Sequence, residues 1–196
     1  MLELGNGLLR SRISFLDIDS FSGDIDQWNL RNIHQLTLRN IDPDEAGRYR
    51  HENVVISGAG TTPPDHVHLP EVIAELMAWC GAETPSLHPI ERASRLHTRF
   101  AEIHPFLDGN GRTGRLPMNF ELMREDFPPA LIEKEDRLAY YDALDKACVT
   151  GDYEDITRMV AEGVARSLDI YLDAVTGHEP EPLTGERAGG DHGGSP

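Results

Sequence analysis

The segment from residue 104 to residue 115 concentrates residue types that bind phosphate groups, and it reads His-Pro-Phe-Leu-Asp-Gly-Asn-Gly-Arg-Thr-Gly-Arg. Gly109 and Gly111 permit backbone conformations in which several N–H groups converge on one anion. Arg112 and Arg115 are three residues apart, so they share one face at the start of a following helix. Because arginine can bind two phosphate oxygens at once, the spacing predicts a polyphosphate site.

Two further side chains in this segment supply a metal ligand and a base. Asp108 offers hard carboxylate oxygens, which suit a Mg²⁺ ion that also coordinates phosphates. His104 titrates near neutral pH and can accept a proton from a nucleophile. Any one of these residues is equally consistent with an ordinary turn or a solvent-facing side chain. The complete set at fixed spacing favours a site that holds a metal–polyphosphate and deprotonates a hydroxyl beside it.

The whole segment resembles the signature of the Fic domain family at every defining position. Flanking sequences extend the resemblance over residues 25–175. They are Ile33-His34, Ala46-Gly47-Arg48-Tyr49-Arg50, Val54–Ile56, Pro63-Pro64, His88-Pro89-Ile90, His97–Phe100, Tyr140–Leu144 and Gly151–Glu154.

The resemblance implies a protein adenylyltransferase, which moves AMP from ATP to a Ser, Thr or Tyr hydroxyl of a target protein and releases pyrophosphate. His104 would be the base, and Asp108 would hold Mg²⁺ on the α- and β-phosphates. An anion nest and two arginines would bind the nucleotide, and these residues are Gly109, Asn110, Gly111, Arg112 and Arg115. Phe106 would be the core anchor that fixes the loop.

A flap beside the site would dock the target chain by strand addition. Its residues are Val54, Val55, Ile56, Ser57 and Gly58. The first three are β-prone and the last two favour a turn, so the sequence predicts a short β-hairpin.

Several alternatives remain open. Gly109 and Gly111 favour AMP transfer over phosphorylation, because relatives that phosphorylate their targets carry Ala and Lys there, but another nucleotide donor is compatible with the motif. A catalytically silent nucleotide-binding regulatory protein is a second interpretation, and the intact His104 argues against it. A zinc hydrolase built on His51, His66 and His68 is a third.

Many family members regulate their own activity with an inhibitory helix of the sequence Ser/Thr-x-x-x-Glu-Gly/Asn. In this chain, a Glu follows a Ser or Thr by four residues at only two places, Thr98…Glu102 and Thr150…Glu154. The next residues are Ile103 and Asp155, where the motif requires Gly or Asn. We therefore expect no internal inhibition of this type. The chain would then be a toxin restrained by a separate antitoxin protein, a truncated relative, or an enzyme with a divergent inhibitory segment.

The elements that position this loop are predicted from apolar spacing to be helices. The predicted ranges are 24–40 with Ser22 or Asp24 as cap, 70–80, 89–103, about 112–124 with a kink at Pro117, about 136–149 and 153–175. Trp28 and Trp79 are expected in the core, as is His97. The fold is therefore predicted to be mainly α, a Fic-type helical bundle with a short β-hairpin flap.

Composition sets the remaining limits. The chain has 196 residues, with 18 Lys and Arg against 34 Asp and Glu, and a net charge of −16. This acidity disfavours a nucleic-acid partner, which requires clustered cations. We expect no membrane span, no signal peptide, and a cytoplasmic location. The predicted domains are an N-terminal extension (1–24), a Fic domain (25–175) and a disordered acidic tail (176–196).

Overall fold

Six α-helices and no β-strand form the part of the chain that the structure describes, residues 25–82 and 87–177 of a computed structural model. The helices are α1 (Gln27–Leu38), α2 (Leu69–Ala82), α3 (Pro89–Ile103), α4 (Asn110–Arg124), α5 (Arg137–Thr150) and α6 (Glu154–Thr176). The prediction of a mainly helical fold is confirmed. The extension at 1–24 and the tail beyond Gly177 lie outside the described residues, as do the predicted caps Ser22 and Asp24.

Helix α3 is the centre of the fold, and α2, α4, α5 and α6 all pack on it. It has the predicted bounds, with Pro89 in its first turn and the His88 side chain as its N-terminal cap. Its apolar face joins α2 and the following loop in one core cluster, which includes Leu96, Phe100 and Ile103. Because α3 is held on several sides, the loop at its C-terminal end starts from a fixed position.

Helix α4 packs closely against α3 through a glycine. A Cβ atom added at Gly114 would lie 2.6 Å from Cδ1 of Phe100, so only glycine allows the backbones this close. The helix continues from Asn110 through Pro117 to Arg124 without a break. It begins two residues earlier than predicted, which places Gly111 inside its first turn.

Helix α1 buries one face, and this face does not include Trp28, which the sequence predicts to lie in the core. Asp26 caps it by accepting a hydrogen bond from the Asn29 N–H at 2.7 Å. Its buried side chains are Asn29, Leu30, Ile33, His34 and Leu38. Trp28 lies on the other side and is 67% exposed, so its predicted core position is wrong. Trp79, by contrast, is buried as predicted.

The predicted β-hairpin at residues 54–58 is wrong in its secondary structure. Val54, Val55 and Ile56 form extended backbone, and Ser57 and Gly58 form a turn, with no strand paired beside them in the described residues. The β-prone residues therefore form one extended edge. A lone extended segment cannot become a strand until another chain pairs with it.

Candidate active site

The loop between α3 and α4 reverses direction through two left-handed residues. His104 ends α3 with φ 49° and ψ 59°, and its N–H donates to the Phe100 carbonyl at 3.0 Å. Gly109 has φ 76° and caps the start of α4. This arrangement brings the end of one helix and the start of the next to the same place, as the sequence predicted.

The loop is held from within by Phe106 and Asn110. Phe106 is fully buried, which confirms its role as an anchor. The Asn110 side chain accepts from the Phe106 N–H at 3.0 Å and donates to the Phe106 carbonyl at 2.8 Å. The amide is buried and holds the loop together, so the group that Asn110 presents to an anion is its backbone N–H, one of the first-turn donors that have no partner inside a helix.

Sequence reasoning gave no role to His34, although this residue supports the loop from α1. Its Nδ1 accepts from the Gly47 N–H at 2.9 Å, so Nε2 carries the proton and donates to the Asp108 carbonyl at 3.0 Å. Burial lowers the pKa of His34, which agrees with this neutral tautomer. The Ile33-His34 pair belonged to the family resemblance, and that was the only signal for it.

His104 has the properties of a neutral general base. Its Nδ1 lies 3.4 Å from the Ala101 carbonyl oxygen, which favours a proton on Nδ1 and leaves Nε2 as the acceptor. Burial lowers the pKa of His104, and the nearby Arg50 guanidinium lowers it further. The imidazole is therefore unprotonated near neutral pH and ready to accept a proton.

Asp108 and two arginines provide the charges of the site. The Asp108 carboxylate is 74% exposed and pairs with Arg112 at 3.3 Å. An exposed pair of this kind contributes at most about 1 kcal/mol, so a ligand can replace it at little cost. Arg115 makes no ion pair with any carboxylate in residues 25–82 and 87–177. Its charge is therefore available for an anion.

Gly109, at the end of the loop, and Gly111, in the first turn of α4, differ in what surrounds them. A Cβ at Gly109 would lie 3.1 Å from Cδ1 of Leu38, and the left-handed backbone there also favours glycine. A Cβ at Gly111 would meet nothing within 4 Å, so the protein's own packing does not require glycine at this position. Open space in the first turn of α4 fits a close approach of phosphate to the backbone N–H groups.

The residues also fit a magnesium ion, although they would supply few of its ligands. Residues 25–82 and 87–177 contain no group of three or more His, Cys, Asp or Glu side chains placed to share a metal. Mg²⁺ bound to a nucleotide is commonly held by one or two carboxylates, with phosphates and waters completing its coordination. The exposed Asp108 can serve as that carboxylate.

The zinc alternative has no assembled site within the same described ranges. The Nδ1 atom of His66 lies 3.0 Å from the Asn53 side-chain oxygen, and His68 lies 3.9 Å from Glu71. His97 is a core residue, as predicted, and hydrogen-bonds the Tyr140 hydroxyl.

None of the described helices is both long and apolar enough to cross a membrane.

Comparison with known proteins shows where this architecture recurs. The model of the Fic/DOC family matches residues 24–122. The chain is similar to Protein adenylyltransferase Fic from Culex quinquefasciatus, with 39% identity over 83% of this chain and 32% of that protein. The corresponding Drosophila willistoni protein is 37% identical over 76% of this chain and 29% of its own length.

Solved structures show the same similarity. Fic-1 from C. elegans superposes with a TM-score of 0.71 at 34% identity, and the match covers 80% of this chain and 46% of that one. A Fic domain containing signaling protein from Bacteroides thetaiotaomicron has a TM-score of 0.72 at 26% identity, covering 81% of this chain and 66% of that one. The chain spans about a third of the length of the curated relatives above.

Proposed function

Because the chain belongs to the Fic/DOC family, we propose that it transfers AMP from ATP to a hydroxyl side chain of a target protein and releases pyrophosphate. The observation that carries this proposal is the position of His104, a neutral, half-buried base one loop before a helix N-terminus that favours anions. The names of its relatives, protein adenylyltransferases, support AMP as the transferred group.

In the proposed reaction, Nε2 of His104 takes the proton of the target hydroxyl. The hydroxyl oxygen forms a bond to the α-phosphorus, and the bond from that phosphorus to the bridging oxygen of pyrophosphate breaks. The N–H groups of Asn110, Gly111 and Arg112 lie in the first turn of α4, where they can bind the phosphates. Arg115 would stabilise the charge that develops on the leaving pyrophosphate.

Magnesium would neutralise phosphate charge when bound, and Asp108 is the residue that would hold it. The Asp108 backbone is fixed by His34, whereas the exposed pair with Arg112 is the only side-chain contact of its carboxylate within the described part of the chain. The Asp108 side chain would therefore be available to hold the ion without any change in the loop backbone. Arg112 would be available to bind phosphate oxygens.

The extended segment at residues 54–58 would dock the target chain beside His104. Val55 is 89% exposed, and the backbone N–H and C=O groups of Val54 and Val55 make no hydrogen bond within the described residues. Such an unpaired edge suits strand addition, which orients a target through backbone hydrogen bonds and tolerates varied side chains.

For regulation, we propose that residues 1–196 carry no inhibitory helix of the Ser/Thr-x-x-x-Glu-Gly/Asn type, so that restraint comes from a separate antitoxin protein, from another part of a longer parent protein, or from a divergent inhibitory segment. The support is the sequence itself, since no Ser/Thr-x-x-x-Glu-Gly/Asn segment occurs in its 196 residues. Arg115, which makes no ion pair with the residues that the structure describes, is the group that such a glutamate would occupy.

The test of the function is incubation with Mg²⁺, a cell lysate and ATP labelled on the α- or γ-phosphate. We expect protein to retain the α-label and not the γ-label, and His104→Ala to abolish the signal. Retention of the γ-label would indicate a kinase instead. Nucleotide binding by the wild type without any transfer would support the silent regulatory protein.

A further inference from the structure

The segment at residues 54–58 is tethered at both ends by side chains that the proposed reaction does not use. At the first end is Arg50, which is 3% exposed. Its Nε donates to the His104 carbonyl at 3.0 Å, and its Nη1 donates to the Glu52 carbonyl at 3.0 Å. Its Nη2 donates to the Pro64 carbonyl. One guanidinium thus joins the catalytic loop to the chain on both sides of the flap.

The Arg50 backbone strengthens this connection, because its N–H donates to the Pro105 carbonyl at 2.9 Å. Two consecutive carbonyls of the catalytic loop, those of His104 and Pro105, are therefore held by a single residue. A planar guanidinium fixes the directions of its hydrogen bonds, which a flexible ammonium does not. The left-handed conformation of His104 is stabilised from outside its own helix.

At the other end, the tether comes from Asp145 on α5. Both of its carboxylate oxygens lie 2.9 Å from the Gly60 nitrogen, and Oδ1 also accepts from the Thr61 N–H at 3.1 Å. A Cβ at Gly60 would lie 3.2 Å from Oδ2, so glycine allows the carboxylate to approach. Hydrogen bonds to an ionised carboxylate are stronger than those between neutral groups.

Between the two tethers, the only backbone hydrogen bond within residues 54–59 of the described chain joins the Ala59 N–H to the Ile56 carbonyl at 3.2 Å. The docking edge is therefore unpaired, while the residues on both sides of it are fixed. Binding costs less when the receiving edge is already ordered.

We propose that Arg50 and Asp145 are positioning residues that hold the flap at a fixed separation from His104 before a target binds. The proposal rests on the proposed function, since it assumes that residues 54–58 receive the target chain. Arg50 acts on both the flap and the base, whereas Asp145 acts on the flap alone. The two residues should therefore affect the reaction differently.

The first test measures the tether without any activity. We expect hydrogen exchange of the Gly60 and Thr61 amides in the full chain to accelerate about tenfold in Asp145→Ala, because the two donors lose their acceptor. Asp145→Asn, which keeps one acceptor oxygen, should fall between. Asp142→Asn is the matched control, since the exposed side chain of this α5 residue makes no hydrogen bond within the described residues. Unchanged exchange in Asp145→Ala would overturn the tether.

The second test measures positioning by titrating a cell lysate against a fixed amount of enzyme and α-labelled ATP. For Asp145→Ala we expect the half-saturating lysate concentration to rise about tenfold, with the KM for ATP unchanged and partial rescue by Asp145→Asn. Arg50→Lys should likewise raise the half-saturating lysate concentration. In addition, it should lower the maximal rate by about a hundredfold, because His104 itself would shift. If Asp145→Ala shows faster exchange at Gly60 and Thr61 but the same half-saturating lysate concentration as the wild type, the positioning role is refuted.

A failure of the proposed function can be told apart from a failure of the tether, because hydrogen exchange does not depend on activity. If the wild type transfers no label, AMP transfer and the positioning role both fail, while the exchange rates still decide whether the tether exists. If Arg50→Lys unfolds, as its melting temperature would show, the Asp145 series still decides the proposal.

Discussion

His34 stacks face to face on Phe106, with ring centroids 3.7 Å apart and ring planes within 2°. The same imidazole bonds the Gly47 N–H and the Asp108 carbonyl, as described above. One side chain of α1 thus combines a packing contact with two hydrogen bonds, and it fixes a loop 74 residues away in the sequence.

Replacing His34 by phenylalanine should separate these contributions. The variant keeps an aromatic ring on Phe106 but leaves the buried Gly47 N–H without its acceptor, which costs about 1–3 kcal/mol of unfolding free energy. Denaturant unfolding measures this loss. Trp28→Ala on the same helix is the control and should change stability by less than about 0.5 kcal/mol, because Trp28 is exposed. Equal losses in the two variants would contradict the role of His34.

Two glycines of α4 should respond in opposite ways to the same substitution. Gly114→Ala is expected to lose about 1–3 kcal/mol of stability, because its Cβ would collide with the Phe100 ring. Gly111→Ala meets open space and should gain about 0.5–1 kcal/mol from helix propensity, while ATP binding weakens. Thermal unfolding and calorimetric titration with Mg·ATP would measure both effects. Undiminished ATP affinity in Gly111→Ala would remove this position from the nucleotide site.

The pH dependence of AMP transfer should report the lowered pKa of His104. The base acts when it is unprotonated, so kcat/KM should rise with pH through the pKa of the free enzyme and then level off. Because burial and then Arg50 lower that pKa, the midpoint is expected below the ordinary histidine value of 6.5. A rate profile between pH 4 and 8 measures it. A midpoint above 6.5 would contradict a buried neutral base.

Asp108→Ala should remove the effect of magnesium without removing nucleotide binding. Wild-type ATP affinity is expected to increase when Mg²⁺ is added, because Asp108 can share the ion with the phosphates. In the variant, affinity should be the same with and without Mg²⁺. Titrations of ATP in magnesium and in EDTA would compare the two proteins. A variant that keeps the full magnesium effect would show that another residue holds the ion.

How far the sequence predicts this protein depends on the distance between the cooperating residues. The loop and first turn of α4 could be predicted because their residues are contiguous, and α3 could be predicted because its apolar spacing is regular. The contacts from His34 and from Arg50 to that loop join positions 74 and 54 residues apart, which no local pattern encodes. The same is true of Asp145, whose partner amide is 85 residues away.

The two local errors have physical causes as well. The size and apolar character of Trp28 predict a core position, but the α1 face that meets the core is set by Leu30, Ile33 and Leu38. The β-prone residues at 54–56 have the right propensity for a strand, but β-structure requires a partner as well as propensity.

The left-handed conformation of His104 lowers the stability of the fold, while the imidazole at this position is needed for the proposed reaction. An L-residue with a side chain adopts this conformation at a cost of about 1–2 kcal/mol, and glycine avoids that cost. His104→Gly should therefore be inactive and yet more resistant to unfolding than the active enzyme. In a library selected only for folding, this substitution would accumulate, so the presence of histidine here would have to be maintained by selection for the reaction.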